Sequence, residues 1–318
     1  TNRTDETLPS STPREPQSPR DPDDEETLAS PAQTVSPSSV AQASITDADL
    51  IVGDPQTMPV SGNRPETIGW DIAGLTDVGL KRKLNEDNLI LLESEIPGMG
   101  PTGLYVVADG MGGHEGGEIA SRLTIETIQT EFDVRLPIAE ANPFDGWLKA
   151  AVSSANKVVM DHQKDMSGEK KMGSTLIMAL VADGQAHIAN VGDSRAYRLT
   201  QDSIEQISVD HSLVERLIQI GQITREEART HKQRNVIYST IGDKEKFDIG
   251  FYHIDLNPGE RLLLCSDGLS GMITDEEILA ISQDNPSSAD ASKALVAAAK
   301  SAGGTDNITA IIVEMKPT

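Results

Sequence analysis

The apolar run 104–108 stops at an aspartate, Asp109, and a glycine follows at once. The pattern recurs along the chain. The run 261–265 leads through Ser266 to Asp267-Gly268, Asp193 follows Val191-Gly192, and Asp306 sits in Gly303-Gly304-Thr305-Asp306-Asn307 just before a closing apolar run. Glu86 and Asp87 follow a basic turn, 81–85, and precede another extended stretch. A single Asp-Gly is ordinary turn chemistry, because Asp caps its own backbone and Gly accepts positive φ. Carboxylates repeatedly placed where buried strands stop require more, since a carboxylate is costly to bury unless it is paired or bound to metal. The basic residues of the core are too scattered to pair with them all. Oxygen-only ligands suit hard ions, Mg²⁺ or Mn²⁺, rather than zinc. The six histidines, His114, His162, His187, His211, His231 and His253, show no metal-ligand spacing along the chain.

The framework that carries these aspartates is mixed. Extended runs are expected at 67–77, 88–93, 104–108, 174–181, 186–191, 196–199, 247–255, 261–265 and 308–314, with Asp183-Gly184 and Gly192-Asp193 reading as hairpin turns. Two helical periodicities lie between the early and middle strands. One spans 116–132, apolar at Ile119, Leu123, Ile125, Ile128 and Phe132; the other spans 143–163, apolar at Trp147, Ala150, Ala151, Ala155, Val158 and Val159. Capping boxes announce shorter helices at Ser212/Glu215, Thr224/Glu227 and Thr274/Glu277, and a last helix spans 289–302. Strands in blocks with segregated helices predict an α+β layered sandwich, not a doubly wound fold.

Composition divides the chain. Residues 1–66 contain no Phe, Tyr or Trp and hold ten of the 17 prolines, with an acidic run at 21–26. Such a segment buries too little apolar surface to offset its conformational entropy, so 1–66 is expected to be a disordered acidic Ser/Thr/Pro-rich tail, and 67–318 to form one domain. Its Ser-Pro and Thr-Pro pairs at 12–13, 18–19, 30–31 and 36–37 read as linker with possible phosphorylation sites. A net charge of −23 argues against nucleic acid as a partner. One cysteine, Cys265, allows no internal disulfide, and no run reaches the ~18 apolar residues of a membrane span. These features predict a cytoplasmic protein, expected as a monomer.

Taken in order, Gly79-x-x-Arg82-x-x-Asn85-Glu86-Asp87, Asp109-Gly110-Met111-Gly112-Gly113, Gly173-Ser174-Thr175, Val191-Gly192-Asp193-Ser194-Arg195, Ser266-Asp267-Gly268 and Asp306-Asn307 resemble the motifs of the protein phosphatase 2C family of metal-dependent protein phosphatases. The resemblance covers about 67–315, essentially the whole core. The continuation of the second motif to His114, and the segment from Asp210-His211-Ser212 to Ile241, resemble the bacterial branch.

The resemblance implies an α-β-β-α fold, a central sandwich of two antiparallel sheets flanked by helix pairs. It implies hydrolysis of phosphoserine and phosphothreonine by direct attack of water held between two bridged Mn²⁺ or Mg²⁺ ions. Asp109 would bridge the ions, with the Gly110 carbonyl on one of them; Asp267 and Asp306 would ligate the other. Glu86 would approach an ion directly or through water, Asp87 would orient the nucleophile, and Arg82 would clamp the phosphate. Asp193 with Asp267 would form a third, weaker site. The segment 211–242 would be a flap beside the cleft. Substrates would be proteins phosphorylated by a bacterial serine/threonine kinase.

Family members that place a histidine directly after Asp-Gly have a candidate proton donor there; this chain has Met111, leaving His114 as the nearest substitute or, equally, a residue that packs against the following helix. Other readings lack their parts. The residue six past Cys265 is Gly271, not the Arg a cysteine phosphatase needs, and there is no Gly-x-x-x-x-Gly-Lys loop. The alternative from another class is a phosphatase-like binding module without turnover, whose mark would be degenerate metal aspartates.

Overall fold

A computed structural model of the protein describes residues 58–60, 69–96, 100–112, 115–136, 144–165 and 171–316. In chain order the first half comprises β1 (Met58–Val60), β2 (Trp70–Asp77), β3 (Asp87–Ile96), β4 (Gly100–Met111), α1 (Glu115–Arg135), α2 (Phe144–Asp165), β5 (Gly173–Ser174), β6 (Leu176–Ala182) and β7 (Gln185–Val191). The second half comprises β8 (Arg195–Leu199), β9 (Ile204–Gln206), α3 (Leu213–Gln219), α4 (Arg225–Thr230), β10 (Gly250–Asp255), β11 (Arg261–Cys265), α5 (Asp267–Ser270), α6 (Asp275–Asp284), α7 (Ser288–Ser301) and β12 (Ile308–Met315).

The strands form two antiparallel sheets. One has the order β1-β2-β12-β11-β8-β9, the other β10-β7-β6-β4-β3 with β5 added to the end of β4. Alternation along β4 shows how they stack. Leu104, Val106 and Ala108 face a core shared with α1 and α2, while Tyr105 and Val107 face an interlayer with Leu262, Leu264, Ile311 and Val313 of the other sheet. The outer face of that second sheet packs Leu263, Cys265, Ala310 and Ile312 on α6 and α7. Strands buried on both faces read as unbroken apolar runs, which is why 104–108 and 261–265 were so conspicuous in the sequence. The α-β-β-α sandwich expected from the sequence is the one observed.

The structure differs from the sequence expectations in local ways. Met58–Val60 lie inside the stretch read as a disordered tail, yet they pair with Gly74–Thr76 of β2 as an edge strand; the rest of 1–66 lies outside the described residues. Asp183-Gly184 is a tight hairpin with both residues at positive φ, 49° and 73°. Gly192-Asp193, in contrast, is no hairpin, because β7 and β8 belong to different sheets. Two capping boxes, at Thr224 and Thr274, are reciprocal as expected. At Ser212 only half forms: the hydroxyl accepts from the Glu215 amide, while the Glu215 carboxylate approaches Arg225.

Candidate metal centre

Strand ends from both sheets meet at one edge of the sandwich. Asp87 opens β3 and is the register partner of Asp109 on β4. Asp267 opens α5 directly after β11, Asp306 lies just before β12, and Asp193 occupies the crossing from β7 to β8. Directly opposed residues of an antiparallel pair point the same way with Cβ atoms about 5 Å apart, so register alone juxtaposes two carboxylates.

The convergence perturbs the carboxyls of Glu86, Asp87, Asp109, Asp193 and Asp267. Burial pushes the Asp109 carboxyl well above its usual range, and repulsion from Asp87, Asp267, Asp193 and Asp306 adds to it. Burial also pushes Asp87 up to about 7, opposed by hydrogen bonds from Thr309 and Ser266 and reinforced by Asp267 and Asp306. Asp267 rises to about 6 through burial and then through repulsion from Asp306. Asp193 is raised well above the carboxylate range by burial, Asp267 and Asp210, and Glu86 is raised by burial against the pull of Arg82. Like charges gathered out of water are unfavourable without a counter-charge.

The strand ends that carry Asp87 and Asp109 are braced from behind. Asp87 accepts hydrogen bonds at Oδ2 from Ser266 Oγ (2.8 Å) and Thr309 Oγ1 (2.6 Å), both on the opposite sheet's strand ends. The Asp109 backbone is locked by Thr175, whose amide donates to the Asp109 carbonyl (2.8 Å) and whose hydroxyl accepts from the Asp109 amide (3.0 Å). The Ser194 hydroxyl bonds that of Thr175 at 2.7 Å, joining the β7–β8 crossing to the same lock. Gly110 donates its amide to the Glu86 carbonyl (3.0 Å). A Cβ at Gly117, in the first turn of α1, would overlap Glu86 Oε1, so only glycine lets the helix start this close.

Three carboxylate oxygens in this group, Glu86 Oε1, Asp87 Oδ1 and Asp267 Oδ1, are buried with no hydrogen-bond partner among the described residues. Buried polar atoms are normally satisfied, so open hard-oxygen donors in an acidic cluster fit Mg²⁺ or Mn²⁺. At the mouth, Arg82 is about half exposed; its Nη2 donates to Asp306 Oδ2 at 2.7 Å, and its Nη1 lies 3.9 Å from Glu86 Oε2. The structure thus brings together Arg82, Glu86, Asp87, Asp109, Gly110, Asp193, Asp267 and Asp306. His114 lies outside the described residues.

Sequence reasoning missed the supporting residues. Asn307, quoted only as part of a motif, accepts the Glu86 amide at Oδ1 (2.8 Å) and donates from Nδ2 to the carbonyls of Val78 and Leu84 (3.0 Å each), fixing the basic turn. Arg195, in the Gly-Asp-Ser-Arg motif, forks onto Asp210 (2.7 Å) and reaches the Tyr197 hydroxyl (2.9 Å), which makes it an anchor for the crossing. Neither partner was visible without the fold, though an Asn directly after a candidate ligand aspartate is a signal that could have been used.

The chain matches the protein phosphatase 2C family over residues 99–304. The serine/threonine phosphatase stp of Listeria innocua is 34% identical over 242 residues, 75% of this chain and 93% of that protein. The structure of the serine/threonine phosphatase Stp1 from Staphylococcus aureus aligns with a TM-score of 0.73 at 33% identity, covering 81% of this chain and 100% of that one. The catalytic domain of the serine/threonine protein phosphatase PstP, solved in complex with two manganese ions, aligns with a TM-score of 0.67 at 31% identity, covering 78% of this chain and 99% of that one.

Proposed function

We propose, from the premise that the chain belongs to the protein phosphatase 2C family, that this serine/threonine protein phosphatase hydrolyses phosphoserine and phosphothreonine in proteins by direct attack of water. Its substrates are cytoplasmic proteins phosphorylated by a bacterial serine/threonine kinase. The observation that carries the reading is the set of open oxygens on Glu86, Asp87 and Asp267 inside a cluster of mutually repelling carboxyls.

Asp109, the Gly110 carbonyl, Asp267, Asp306 and Glu86 would hold two Mn²⁺ or Mg²⁺ ions, and Asp193 with Asp267 a third, weaker one. Bound ions supply positive charge that acidifies water and neutralises a phosphate dianion. Asp87, anchored through Oδ2, presents Oδ1 to orient the attacking water. Arg82 keeps N–H groups beyond its Asp306 contact for the phosphate oxygens, where a planar fork serves better than the neighbouring lysines. His114 is assigned to protonate the leaving alkoxide. No side-chain nucleophile is needed, and the obvious candidate is unsuited: Cys265 is fully buried and burial pushes its thiol up to about 12.

The segment 211–242 is assigned as a flap that positions the phosphopeptide. Bridges at Ser212–Ile237 and Ser174–Ile241 close its base beside the Asp109 lock. Its outer surface exposes Ile220, Val236 and Tyr238, and Arg229 ties it to the carbonyls of Ser270 and Ile273 near Asp267.

The test is hydrolysis of a phosphothreonine peptide with Mn²⁺ against the same protein in EDTA, with Asp109→Asn and Asp267→Asn alongside. Chelation and either substitution should each lower the rate by several orders of magnitude, as loss of transition-state charge stabilisation does. A full rate after exhaustive chelation would sink the reading. A binding module without turnover would be free to lose these carboxylates; here all are present.

A further inference from the structure

The histidines show no ligand spacing along the chain, but the sheet assembles two of them. A single row of register partners crosses the sheet of β3, β4, β6, β7 and β10: Leu92, Leu104, Leu180, His187, His253. The leucines pack under α1 and α2, and the row ends in two imidazoles, one on β7 and one on the edge strand β10. The first turn of α2 covers them. The Phe144 ring lies 4.4 Å from that of His187, the two imidazoles meet edge to face at 4.9 Å, and His253 Nε2 lies 2.8 Å from Asp145 Oδ1.

Two further facts point to a ligand. One donor atom from each of Asp145, His187 and His253 lies within 4.8 Å of the other two. Both ring nitrogens of His187 are buried, and neither has a hydrogen-bond partner among the described residues. A neutral imidazole carries one donor and one acceptor, so burying it with both unused is a deficit that the Asp145–His253 pair does not relieve.

We propose that Asp145, His187 and His253 form a second metal site, selective for a borderline transition ion such as Zn²⁺ and distinct from the acidic centre. Two imidazole nitrogens and one carboxylate match the ligand preference of zinc, whereas Mg²⁺ and Mn²⁺ favour the all-oxygen cluster. The Asp145 and His253 side chains are 52% and 50% exposed, which gives an ion a route in and leaves room for water as a further ligand. His187 precedes Asp193 by six positions along β7 and its exit, a span of about 20 Å at the rise of an extended strand. The site is therefore structural: it clips the start of α2 to an edge strand that β7 alone pairs, and zinc binding to the folded form stabilises the fold with the logarithm of free zinc above its Kd.

The experiment uses the full chain saturated with Mg²⁺, and measures zinc uptake by equilibrium dialysis with metal analysis. His253→Gln and Asp145→Asn alter exposed positions and leave the acidic centre alone, so any zinc that invades that centre cancels in the comparison. Wild type should take up one zinc more than either variant, and each variant's zinc affinity should fall at least the ~10-fold that losing even an outer-shell partner costs. Both variants should keep the wild-type rate on p-nitrophenyl phosphate with Mg²⁺. Long-range ¹H–¹⁵N spectra of the imidazoles should show the His187 and His253 resonances shifting on zinc addition. Equal zinc uptake by wild type and both variants, or unshifted His187 resonances at saturating zinc, would overturn the proposal.

Discussion

Asp87 and Asp109 stand directly opposite each other on β3 and β4, a buried and a partly buried carboxyl in one register pair with their side chains on the same side of the sheet. Opposed like charges destabilise a strand pair. The fold nonetheless places them there, and surrounds them with more of the same sign.

That relationship fixes a pH dependence. Asp87 and Asp267 titrate at about 7 and about 6 in the folded chain, above the ordinary carboxylate value near 4. A folded-state pKa raised above the unfolded one means that the folded form binds more protons between these values, so metal-free stability falls as pH rises through the window from about 4 to about 7. In EDTA the melting temperature should therefore drop between about pH 5 and pH 8. Added Mn²⁺ should raise it more at the higher pH, because binding displaces protons at the lower one. Calorimetry at both pH values checks this; an equal Mn²⁺-induced rise at each would remove carboxylate repulsion as the cause.

Asn307→Ala removes the group that takes the Glu86 amide and serves the Val78 and Leu84 carbonyls. Stranding these backbone groups should cost about 1–3 kcal/mol in chemical denaturation. The concentration of Mn²⁺ giving half-maximal rate should rise as well, since Glu86 loses its fixed position. A variant that is less stable but needs no more Mn²⁺ would confine Asn307 to a folding role.

Gly117→Ala separates packing from charge. The added methyl would collide with Glu86 Oε1 and with the backbone carbonyl carbon of Gly110, and it alters no ionisable group. Expected is a folded protein, by circular dichroism, whose rate falls at low Mn²⁺ and recovers partly at high Mn²⁺. An unchanged Mn²⁺ dependence would mean that neither Glu86 nor the Gly110 carbonyl serves the ions.

Arg82→Ala, assayed at saturating Mn²⁺ so that its contact with Asp306 does not confuse the result, should raise KM for a phosphopeptide by the equivalent of about 1.5–3 kcal/mol. Lys83→Ala should change KM little. An unaltered KM in Arg82→Ala would remove the phosphate clamp from that position.

What the sequence made legible was local or doubly apolar. The runs ending at Asp109 and Asp267 announced buried strands because both of their faces are covered, and the Thr224 and Thr274 boxes involve residues three apart. What stayed hidden needed register or sheet membership. Gly192-Asp193 looks like a hairpin until β7 and β8 are seen in different sheets. Asn307 reaches the turn before β3 from the far end of the chain, and His187 meets His253 only because β10 pairs with β7. β1 escaped notice because a three-residue edge strand flanked by polar residues has almost no periodicity to read.

The carboxylates have two owners. Asp87 and Asp109 ride on one sheet, Asp267 and Asp306 on strand ends of the other, and the Ser266 and Thr309 hydroxyls reach across to grip Asp87. On the proposed assignment each sheet alone carries half a site, and the rate becomes a gauge of how the layers are seated. Close-packed layers do not slide freely, and small misplacements of reacting groups are costly. A repacking such as Ile177→Val or Ile311→Val, in the apolar interlayer, should cost about 0.5–1.5 kcal/mol of stability and weaken Mn²⁺ affinity as well; an unchanged affinity would show that the seating of the layers does not reach the carboxylates. In that sense the hydrophobic seam belongs to the proposed chemistry: what lies between the sheets sets how far Asp87 and Asp109 stand from Asp267 and Asp306.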